Sequence, residues 1–433
     1  MVVDFPPLTG GFSTSTGYAA DAMHARRAQE QLQEALQDTP VVLLHGARQV
    51  GKTTLARAMS VGGKIRRYAT LDDSPELSAA MADPSGFVNA LTGPVVLDEV
   101  QRAPALFRAI KASVDRDRSS GRFLLTGSAN VMMLPALSES LAGRIEVVPL
   151  WPLSQGEIEG TEERFIDHAF ADSAHMWSAQ PARSRPLLER IIRGGFPEPS
   201  TRPDSRRRDA WFRAYADTTL RREVRELSGV EGLAELPRLL GALSARACGL
   251  LNVADVSRTL GMPQSTVRRY ITLLEATFLV LLLPAWTTSR SSRLAKSPKV
   301  VICDSGLACN LTGADLKRLS QDGSARGLML ENFVAMELVK QREWSEARPA
   351  LHHFRTASGH EVDFVLEDRA GRVVGIEVKS AGTVTSEDFR GLRTLRELAG
   401  KRFVRGIVLH DGRETVRFDP SLMSVPISAL WSG

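Results

Sequence analysis

A loop of eight residues near the N-terminal end of the chain has the composition of a phosphate-binding site. Residues 46–53 read Gly-Ala-Arg-Gln-Val-Gly-Lys-Thr and follow the apolar segment Val41–His45. In this pattern the glycines let backbone N–H groups turn toward a phosphate, and a following helix places its positive end there. Lys52 can reach the β- and γ-phosphate oxygens, and the Thr53 hydroxyl can bind Mg²⁺. The residues expected to bind ATP are Gly46, Ala47, Arg48, Gln49, Val50, Gly51, Lys52, Thr53 and Thr54.

Two adjacent carboxylates follow a second apolar segment. Asp98 and Glu99 end the run Val-Val-Leu-Asp-Glu at residues 95–99. Carboxylates at the end of a parallel strand lie at the same sheet edge as the phosphate loop. We expect Asp98 to hold the Mg²⁺ hydration shell, and Glu99 to orient or deprotonate the attacking water. Another apolar run, residues 123–125, precedes Ser128 and Asn130, and either side chain is a candidate sensor of the γ-phosphate.

The positions of these residues require a parallel sheet. The runs at 41–45, 95–97 and 123–125 are short and apolar, which is typical of buried parallel strands. Helical patterns separate them, so we predict a three-layer α/β nucleotide-binding domain over residues 21–150. Residues 1–20 are rich in Gly, Ser, Thr and Pro and are expected to form a flexible leader, and residues 151–250 are expected to be mainly helical.

Several motifs of this region resemble one family of ATPases. They are Asp-Glu-Val-Gln-Arg-Ala-Pro at residues 98–104, Leu-Ala-Gly-Arg at 141–144 and Gly-Gly-Phe-Pro-Glu at 194–198. With the phosphate loop, they resemble the AAA-like P-loop ATPases of bacteria and archaea that carry a C-terminal domain of unknown function. The resemblance implies that Arg144 is a candidate cation for the γ-phosphate, either in its own chain or in a neighbouring one. A salt bridge that stabilises the loop is an equally good interpretation of Arg144.

The segment 251–310 has the pattern of a winged helix-turn-helix. Residues 252–276 predict a helix, a tight turn at Gly261 and a second helix, and residues 278–283 and 299–303 could supply the strands of a wing. DNA-reading modules place base and phosphate contacts at the start of the second helix, whereas other ATPases use such modules for protein contacts. The candidate nucleic-acid contacts are Gln264, Ser265, Thr266, Arg268 and Arg269.

The C-terminal part, residues 327–433, predicts a second α/β unit. An amphipathic helix at 328–340 precedes strand patterns at 351–355, 361–367, 372–379 and 404–410. Glu331, Asp363, Glu377 and Lys379 resemble the metal-binding set of restriction-endonuclease-like nucleases, although Val362 stands where that signature has proline. The three carboxylates are a candidate metal site, with Lys379 positioning the attacking water. The alternative is that the domain keeps the fold only for binding.

Composition narrows the class of protein and its partners. The chain has 433 residues, a net charge of +5 and a pI near 9.3, which favours an anionic partner. Its three cysteines have no metal-ligand spacing, and it has no apolar run of about 18 residues, so we expect a cytoplasmic protein without a membrane partner.

These features lead to one main expectation and one alternative. The main expectation is a Mg²⁺-dependent ATPase coupled to a winged helix and a nuclease-like domain, acting on nucleic acid, with DNA favoured over RNA. The alternative is a nucleotide-dependent regulatory switch that binds a protein partner and cuts nothing. An oligomer is required only if Arg144 acts on a neighbouring chain.

Overall fold

The computed structural model describes residues 24–62, 67–128, 141–171, 177, 185–228, 235–289, 293 and 296–432. The predicted leader and Asn130 lie outside these residues. The described chain forms a parallel α/β unit, a helical segment, a helix-turn-helix unit with a β-hairpin, and a C-terminal mixed sheet. No helix among the described residues is long and apolar enough to cross a membrane.

The N-terminal unit is built around a five-stranded parallel sheet. Its elements are α1 (Ala28–Asp38), β1 (Val41–His45), α2 (Lys52–Gly62), β2 (Arg67–Thr70), α3 (Ser74–Ala82), α4 (Pro84–Ala90), β3 (Val95–Asp98), α5 (Leu106–Arg116), β4 (Phe123–Gly127) and β5 (Ile145–Pro149). The strand order is β2-β3-β4-β1-β5, and every neighbouring pair is parallel. The phosphate loop and Asp98 therefore lie at the same edge of the sheet, where β1 and β3 end.

Helices cover both faces of this sheet. Leu44 of β1 packs in one core with Leu32 of α1 and Leu55 of α2, whereas its neighbour Leu43 packs in a second core with Ile110 of α5. Successive strand residues point to opposite faces, so an uninterrupted apolar run is what a sheet covered on both sides requires. The predicted three-layer α/β architecture of this unit is confirmed.

A helical segment connects the two halves of the chain. It contains α6 (Gln155–Glu159), α7 (Phe165–Phe170), α8 (Leu187–Arg193), α9 (Pro197–Thr201) and α10 (Ser205–Ser228). The turn at its centre depends on two adjacent glycines. A Cβ atom on Gly195 would lie 2.2 Å from the carbonyl oxygen of Leu153, and one on Gly194 would lie 2.1 Å from a carboxylate oxygen of Asp304. The Gly-Gly-Phe-Pro motif is therefore a point of close packing between the segment and its neighbours.

The following unit has the predicted succession of helices and strands. It contains α11 (Leu236–Ser244), α12 (Val253–Leu260), α13 (Gln264–Ala276), the antiparallel hairpin of β6 (Val280–Leu283) and β7 (Lys299–Ile302), α14 (Ser305–Thr312) and α15 (Leu316–Gln321). Asn252 caps α12 by accepting a hydrogen bond from the Asp255 N–H at 3.0 Å, and Gly261 ends the helix with a φ of 69°. This left-handed residue produces the turn between α12 and α13.

The C-terminal unit combines one long helix with a six-stranded mixed sheet. It contains α16 (Gly323–Trp344), β8 (Ala350–Arg355), β9 (Glu361–Glu367), β10 (Val373–Lys379), α17 (Arg390–Ala399), β11 (Phe403–His410), β12 (Val416–Arg417) and β13 (Leu422–Pro426). The strand order is β12-β13-β11-β10-β9-β8. Strands β8 to β10 form an antiparallel meander, and the crossover through α17 makes β11 parallel to β10.

Helix α16 differs from the prediction of an amphipathic helix at 328–340. It is longer, and an unbroken run from Asn332 to Gln341 is buried. Polar groups on the buried faces are satisfied by neighbouring units: Lys340 donates to the carbonyl of Leu153 at 2.9 Å, and Asn332 exchanges two hydrogen bonds with the backbone of Ile302. Helix α16 lies between the units and contacts all of them. These contacts explain why polar residues occur on its buried faces.

Candidate nucleotide site and C-terminal carboxylate cluster

Strand β1 delivers the phosphate loop (residues 46–53) in a closely packed conformation. The N–H of Leu150 donates to the carbonyl of His45 at 2.7 Å. A Cβ atom on Gly46 would lie 2.1 Å from the carbonyl oxygen of Leu150, so only glycine fits there. Gln49 and Gly51 have φ values of 61° and 97°, and these left-handed residues turn the chain into α2.

The lysine of the loop is folded back onto the loop itself. Lys52 is only 5% exposed, and its Nζ donates to the carbonyl oxygens of Gly46 at 2.9 Å and Ala47 at 2.7 Å. These carbonyls satisfy the ammonium group within the protein. The predicted contact of Lys52 with phosphate oxygens requires these hydrogen bonds to be exchanged.

Asp98 is the centre of a network of hydroxyl groups. It is 3% exposed, and its carboxylate accepts hydrogen bonds from Thr53 at 3.0 Å, from Tyr68 at 2.6 Å and from Thr126. The predicted pair Thr53 and Asp98 is therefore brought together. Tyr68 comes from β2, which pairs with β3 on the side away from β4. Burial raises the pKa of Tyr68 to about 12, and its hydrogen bond to Asp98 adds to this effect.

Glu99 is held in an unusual backbone conformation by its neighbours. Its φ is 60°, and its N–H donates to the Thr126 hydroxyl at 3.1 Å. The Nε2 of Gln101 donates to the Glu99 carboxylate and also to the Ser128 hydroxyl, at 3.0 Å from the latter. Gln101 therefore joins the candidate base to a candidate sensor of the γ-phosphate. A left-handed non-glycine residue at such a point is typical of a functional site.

Arg144 lies at the N-terminal end of the parallel strands, whereas the phosphate loop lies at their C-terminal end. It directly precedes β5, which runs parallel to β1 with Ile145 opposite Val41. Five residues of strand span about 17 Å, so the length of β5 separates Arg144 from the loop of its own chain. Its Nε forms an ion pair with Asp115 of α5 at 2.7 Å. The geometry leaves the salt bridge, or action on a neighbouring chain, as the two interpretations of this residue.

The second helix of the helix-turn-helix unit presents its predicted polar residues at the surface. Gln264, Ser265, Arg268 and Arg269 are exposed, and Thr266 is half-buried. The hairpin that was expected to form a wing is buried, with Val301 and the other strand residues of β7 covered by neighbouring elements. Among the described residues of this unit, the start of α13 is thus more exposed than the strands of the hairpin.

The carboxylate cluster of the C-terminal unit consists of Glu331, Asp363 and Glu377. A lysine from the hairpin lies among them: Nζ of Lys299 is 2.6 Å from Glu331 and 3.3 Å from Asp363. The second oxygen of Asp363 accepts a hydrogen bond from the N–H of Val378 at 2.9 Å. Glu377 pairs with Lys379 at 3.0 Å. These residues, predicted from widely separated segments, are thus neighbours.

Burial and mutual repulsion shift the pKa values of this cluster. Burial raises the pKa of Glu331 to about 8, and the nearby charge of Asp363 acts in the same direction. Glu377 is raised to a pKa of about 8 for the same two reasons. Burial lowers the pKa of Lys299, but the charges of Asp363 and Glu331 outweigh it and raise the pKa above its ordinary value. The ammonium of Lys299 therefore stays charged.

The described residues contain no group of three His, Cys, Asp or Glu side chains arranged to hold a metal ion. Glu331 and Asp363 face Lys299, and Glu377 faces Lys379. A metal site at these carboxylates stays a prediction. Lys299 was missed because it belongs to another unit, and a lone lysine at the start of an apolar strand gives no sequence signal.

Three family models match successive segments of the chain. A family model described as an AAA domain matches residues 38–159, and two described as domains of unknown function, DUF8612 and DUF4143, match residues 184–318 and 326–430. A Walker-type ATPase of Pyrococcus abyssi is similar in structure with a TM-score of 0.39 and 16% identity, covering 67% of this chain and 96% of that one. This TM-score is too low to carry a functional argument.

Two relatives match almost the whole chain. They are the uncharacterized proteins Mb2031c of Mycobacterium bovis and Rv2008c of Mycobacterium tuberculosis. Each is 32% identical over 407 residues, which cover 94% of this chain and 84% of the relative. The chain therefore belongs to the family of these mycobacterial proteins, and it is an AAA-like P-loop ATPase with a C-terminal DUF4143 domain.

Proposed function

We propose that the protein is a Mg²⁺-dependent ATP hydrolase whose nucleotide cycle drives action on nucleic acid. The observation that carries the proposal is the contact between Thr53 and Asp98 at 3.0 Å, beside Glu99 and the phosphate loop. Loop, metal-ligating oxygens and candidate base come from three neighbouring elements at one sheet edge. This is the arrangement that phosphoryl transfer to water requires.

The residues at this edge fit a bound Mg²⁺ ion. Mg²⁺ takes oxygen ligands and usually keeps several of its waters. The Thr53 hydroxyl and the Asp98 carboxylate would hold the ion in this proposal. Tyr68 and Thr126 donate to the same carboxylate and keep it oriented. When bound, Mg²⁺ supplies positive charge that stabilises the phosphate oxygens.

The remaining site residues have separate roles in the proposal. Lys52 leaves the carbonyls of Gly46 and Ala47 and neutralises charge on the β- and γ-phosphates. Glu99 accepts a proton from the water that attacks the γ-phosphate, while Gln101 holds its carboxylate in place. Ser128 is buried next to Gln101 and is the described candidate for sensing the γ-phosphate.

Two features support nucleic acid, DNA in particular, as the partner. The exposed start of α13 carries Arg268 and Arg269 on a helix that could enter a major groove. The order of elements from α16 to β11 is helix, three antiparallel strands, helix and parallel strand. Glu331, Asp363, Glu377 and Lys379 of this unit resemble the set of restriction-endonuclease-like nucleases, which act on phosphodiesters. Arg, rather than Lys, dominates the basic residues of α13, as suits bidentate contacts.

One experiment tests this function. ATP hydrolysis is measured with and without double-stranded DNA for the wild type and Glu99→Gln, and the integrity of the DNA is followed in the same tube. We expect DNA to stimulate the wild type, and Glu99→Gln to bind ATP but turn it over at least about 100-fold more slowly. Wild-type turnover equal to that of Glu99→Gln would contradict hydrolysis by this site. An unchanged rate with DNA would contradict the partner.

A second candidate function rests on Lys299. Because this ammonium lies between Glu331 and Asp363, the chain itself already places a cation beside these two carboxylates. A domain in this state binds without cutting, and the protein would then be a nucleotide-dependent switch for a protein partner. Stimulation of ATP hydrolysis by a protein and not by DNA, with DNA left intact in Mg²⁺ or Mn²⁺, would favour the switch.

A further inference from the structure

The β6–β7 hairpin extends from the nucleotide site to the carboxylate cluster. Its two strands pair from Val280 opposite Ile302 to Leu283 opposite Lys299. Four residues of strand span about 13 Å, so the two ends of the hairpin reach different parts of the molecule. Phe278, two residues before Val280, contacts His45 at the end of β1, and Lys299 at the other end of the hairpin pairs with the C-terminal cluster.

At the nucleotide end, an aromatic side chain contacts the residue before the phosphate loop. Phe278, two residues before β6, is buried and has a φ of 58°. Its ring packs edge-on against His45, with ring centroids 4.9 Å apart, and against Trp151 at 5.7 Å. His45 directly precedes Gly46. Any rearrangement of the loop that moves His45 therefore meets Phe278.

A second contact holds the other side of the loop to the same surface. The guanidinium of Arg26 donates to the carbonyl of Val50 at 2.6 Å and to the carbonyl of Trp151 at 2.6 Å. Trp151 in turn packs against Phe278. Both flanks of the loop are thus connected to the residue that leads into β6.

At the other end, Lys299 forms the only described link of the hairpin to Glu331 and Asp363 by ion pairs. The lysine, Glu331 and Asp363 are all largely buried, so withdrawing the ammonium would leave two carboxylates without their counter-charge. The hairpin itself is fixed from both sides: Cys248 N–H donates to Val300 at 2.6 Å, and Asn332 of α16 bonds Ile302. Close-packed elements of this kind shift between discrete arrangements and do not deform gradually.

We propose that the hairpin couples the nucleotide site to the carboxylate cluster, so that loading of the phosphate loop weakens the hold of Lys299 on Glu331 and Asp363. In the structure, Lys52 donates to the loop carbonyls and Lys299 is paired with Glu331 and Asp363. The coupling rests on nucleotide binding as proposed above, and it requires neither hydrolysis nor cleavage of DNA. Lys299 is a positioning residue here.

Reciprocity sets the sign of the expected effect. If nucleotide weakens the Lys299 contacts, then removing those contacts must strengthen nucleotide binding by the same factor. We expect Lys299→Met to bind a non-hydrolysable ATP analogue with Mg²⁺ about fivefold or more tightly than the wild type, measured by calorimetry. Lys379→Met is the matched control, because Lys379 pairs with Glu377 of the cluster but lies outside the hairpin. We expect its Kd to equal that of the wild type.

A second measurement follows the hairpin directly. Cys248 is buried, and its backbone N–H is bonded to β7, whereas Cys309 is buried on α14. The rate at which maleimide labels each thiol is measured by peptide mass spectrometry. We expect the analogue to speed labelling of Cys248 by about fivefold or more and to leave Cys309 unchanged. Lys52→Ala, which cannot hold the phosphates, should show no such change. If Lys299→Met fails to fold, Glu331→Gln replaces it and should also tighten binding.

The outcomes separate the coupling from the proposed function. One outcome overturns the coupling but not nucleotide binding. In that outcome the wild type binds the analogue, Lys299→Met binds it with the wild-type Kd, and Cys248 is labelled at the same rate with and without the analogue. If the wild type does not bind the analogue, both are overturned. Equal tightening by Lys379→Met would also overturn it, because the effect would then come from cluster charge alone.

Discussion

At the scale of single residues, the nucleotide site depends on side chains whose partners are close in space but distant in sequence. Asp98 takes three hydroxyl donors from α2, β2 and β4. Gln101 spans the gap between Glu99 and Ser128. Both arrangements orient a carboxylate before substrate arrives, and such pre-organisation is what lowers a barrier at the moment of reaction.

Gln101 offers a test of this pre-organisation. We expect Gln101→Ala to lower kcat on the order of 10- to 100-fold, because the Glu99 carboxylate loses the donor that holds it. The KM for ATP should stay within about twofold, since the described hydrogen bonds of the Gln101 amide go to Glu99 and Ser128 and not to the phosphate loop. Steady-state hydrolysis assays measure both constants. Gln101→Glu is the sharper variant, because a second carboxylate beside Glu99 should move the acid limb of the kcat–pH profile upward.

His45 makes a prediction about pH. Burial lowers the pKa of His45 to about 4 from its ordinary value of 6.5, and the charge of Lys52 adds to this effect. Between these two pKa values, His45 is protonated in the unfolded state and neutral in the folded state. The contribution of His45 to stability is therefore present above pH 6.5 and is lost as pH falls toward 4. The loss reaches about 3 kcal/mol at pH 4.

The comparison that isolates His45 is between two proteins at each pH. The free energy of unfolding is measured by urea denaturation between pH 4 and 7 for the wild type and His45→Gln. We expect the difference between the two to shrink or reverse as pH falls, because the variant carries no group that titrates there. A difference that stays constant across this range would show that folding does not lower the pKa of His45.

At the scale of elements, the helix-turn-helix unit gives a prediction about DNA. We expect Arg268→Ala and Arg269→Ala each to weaken DNA binding and to reduce the slope of log Kd against log salt by about 0.9, as loss of one phosphate contact would. Fluorescence anisotropy at several salt concentrations measures both. Arg258→Ala is the control, because Arg258 lies on α12 and pairs with Asp255. An unchanged slope in all three variants would exclude α13 as the contact surface.

Some elements were predictable from the sequence because their burial is uniform. Strands β1, β3 and β4 are buried on both faces and so appear as continuous apolar runs. The edge strands β2 and β5 were not predicted, because partial exposure admits residues such as Arg67 and Glu146. Tyr68 belongs to β2, so its hydrogen bond to Asp98 was not predicted either.

The candidate site shows the same division. The phosphate loop, Asp98 and Glu99 form local motifs, so the sequence alone predicts their positions after strands β1 and β3, and their chemical roles stay predictions. Lys299 reaches Glu331 and Asp363 from 32 and 64 residues away in sequence. Such a contact depends on how two units pack, and no local pattern encodes it. Gln101 lies in a motif that the sequence analysis identifies, but its hydrogen bonds to Glu99 and Ser128 are visible only in the structure.

At the scale of the whole molecule, the position of Arg144 decides whether one chain is enough. The length of β5 separates it from the loop of its own chain, and Asp115 holds it at the far edge of the sheet. If Arg144 stabilises the γ-phosphate, a second copy must therefore supply it. Each site would then be built from the loop of one chain and the arginine of the next.

Mixing two inactive variants tests this arrangement. Lys52→Ala lacks a working loop but keeps Arg144, whereas Arg144→Ala keeps the loop and lacks the arginine. We expect each to hydrolyse ATP at least about 100-fold more slowly than the wild type when alone. Mixed together, they should recover a measurable part of the rate, because an interface between the two can combine an intact loop with an intact arginine. Asp115→Asn, which removes only the ion pair, should stay active. If Arg144→Ala loses activity and the mixture gains none, an arginine supplied in trans is excluded, and the loss must come from the ion pair with Asp115 and the loop that it supports.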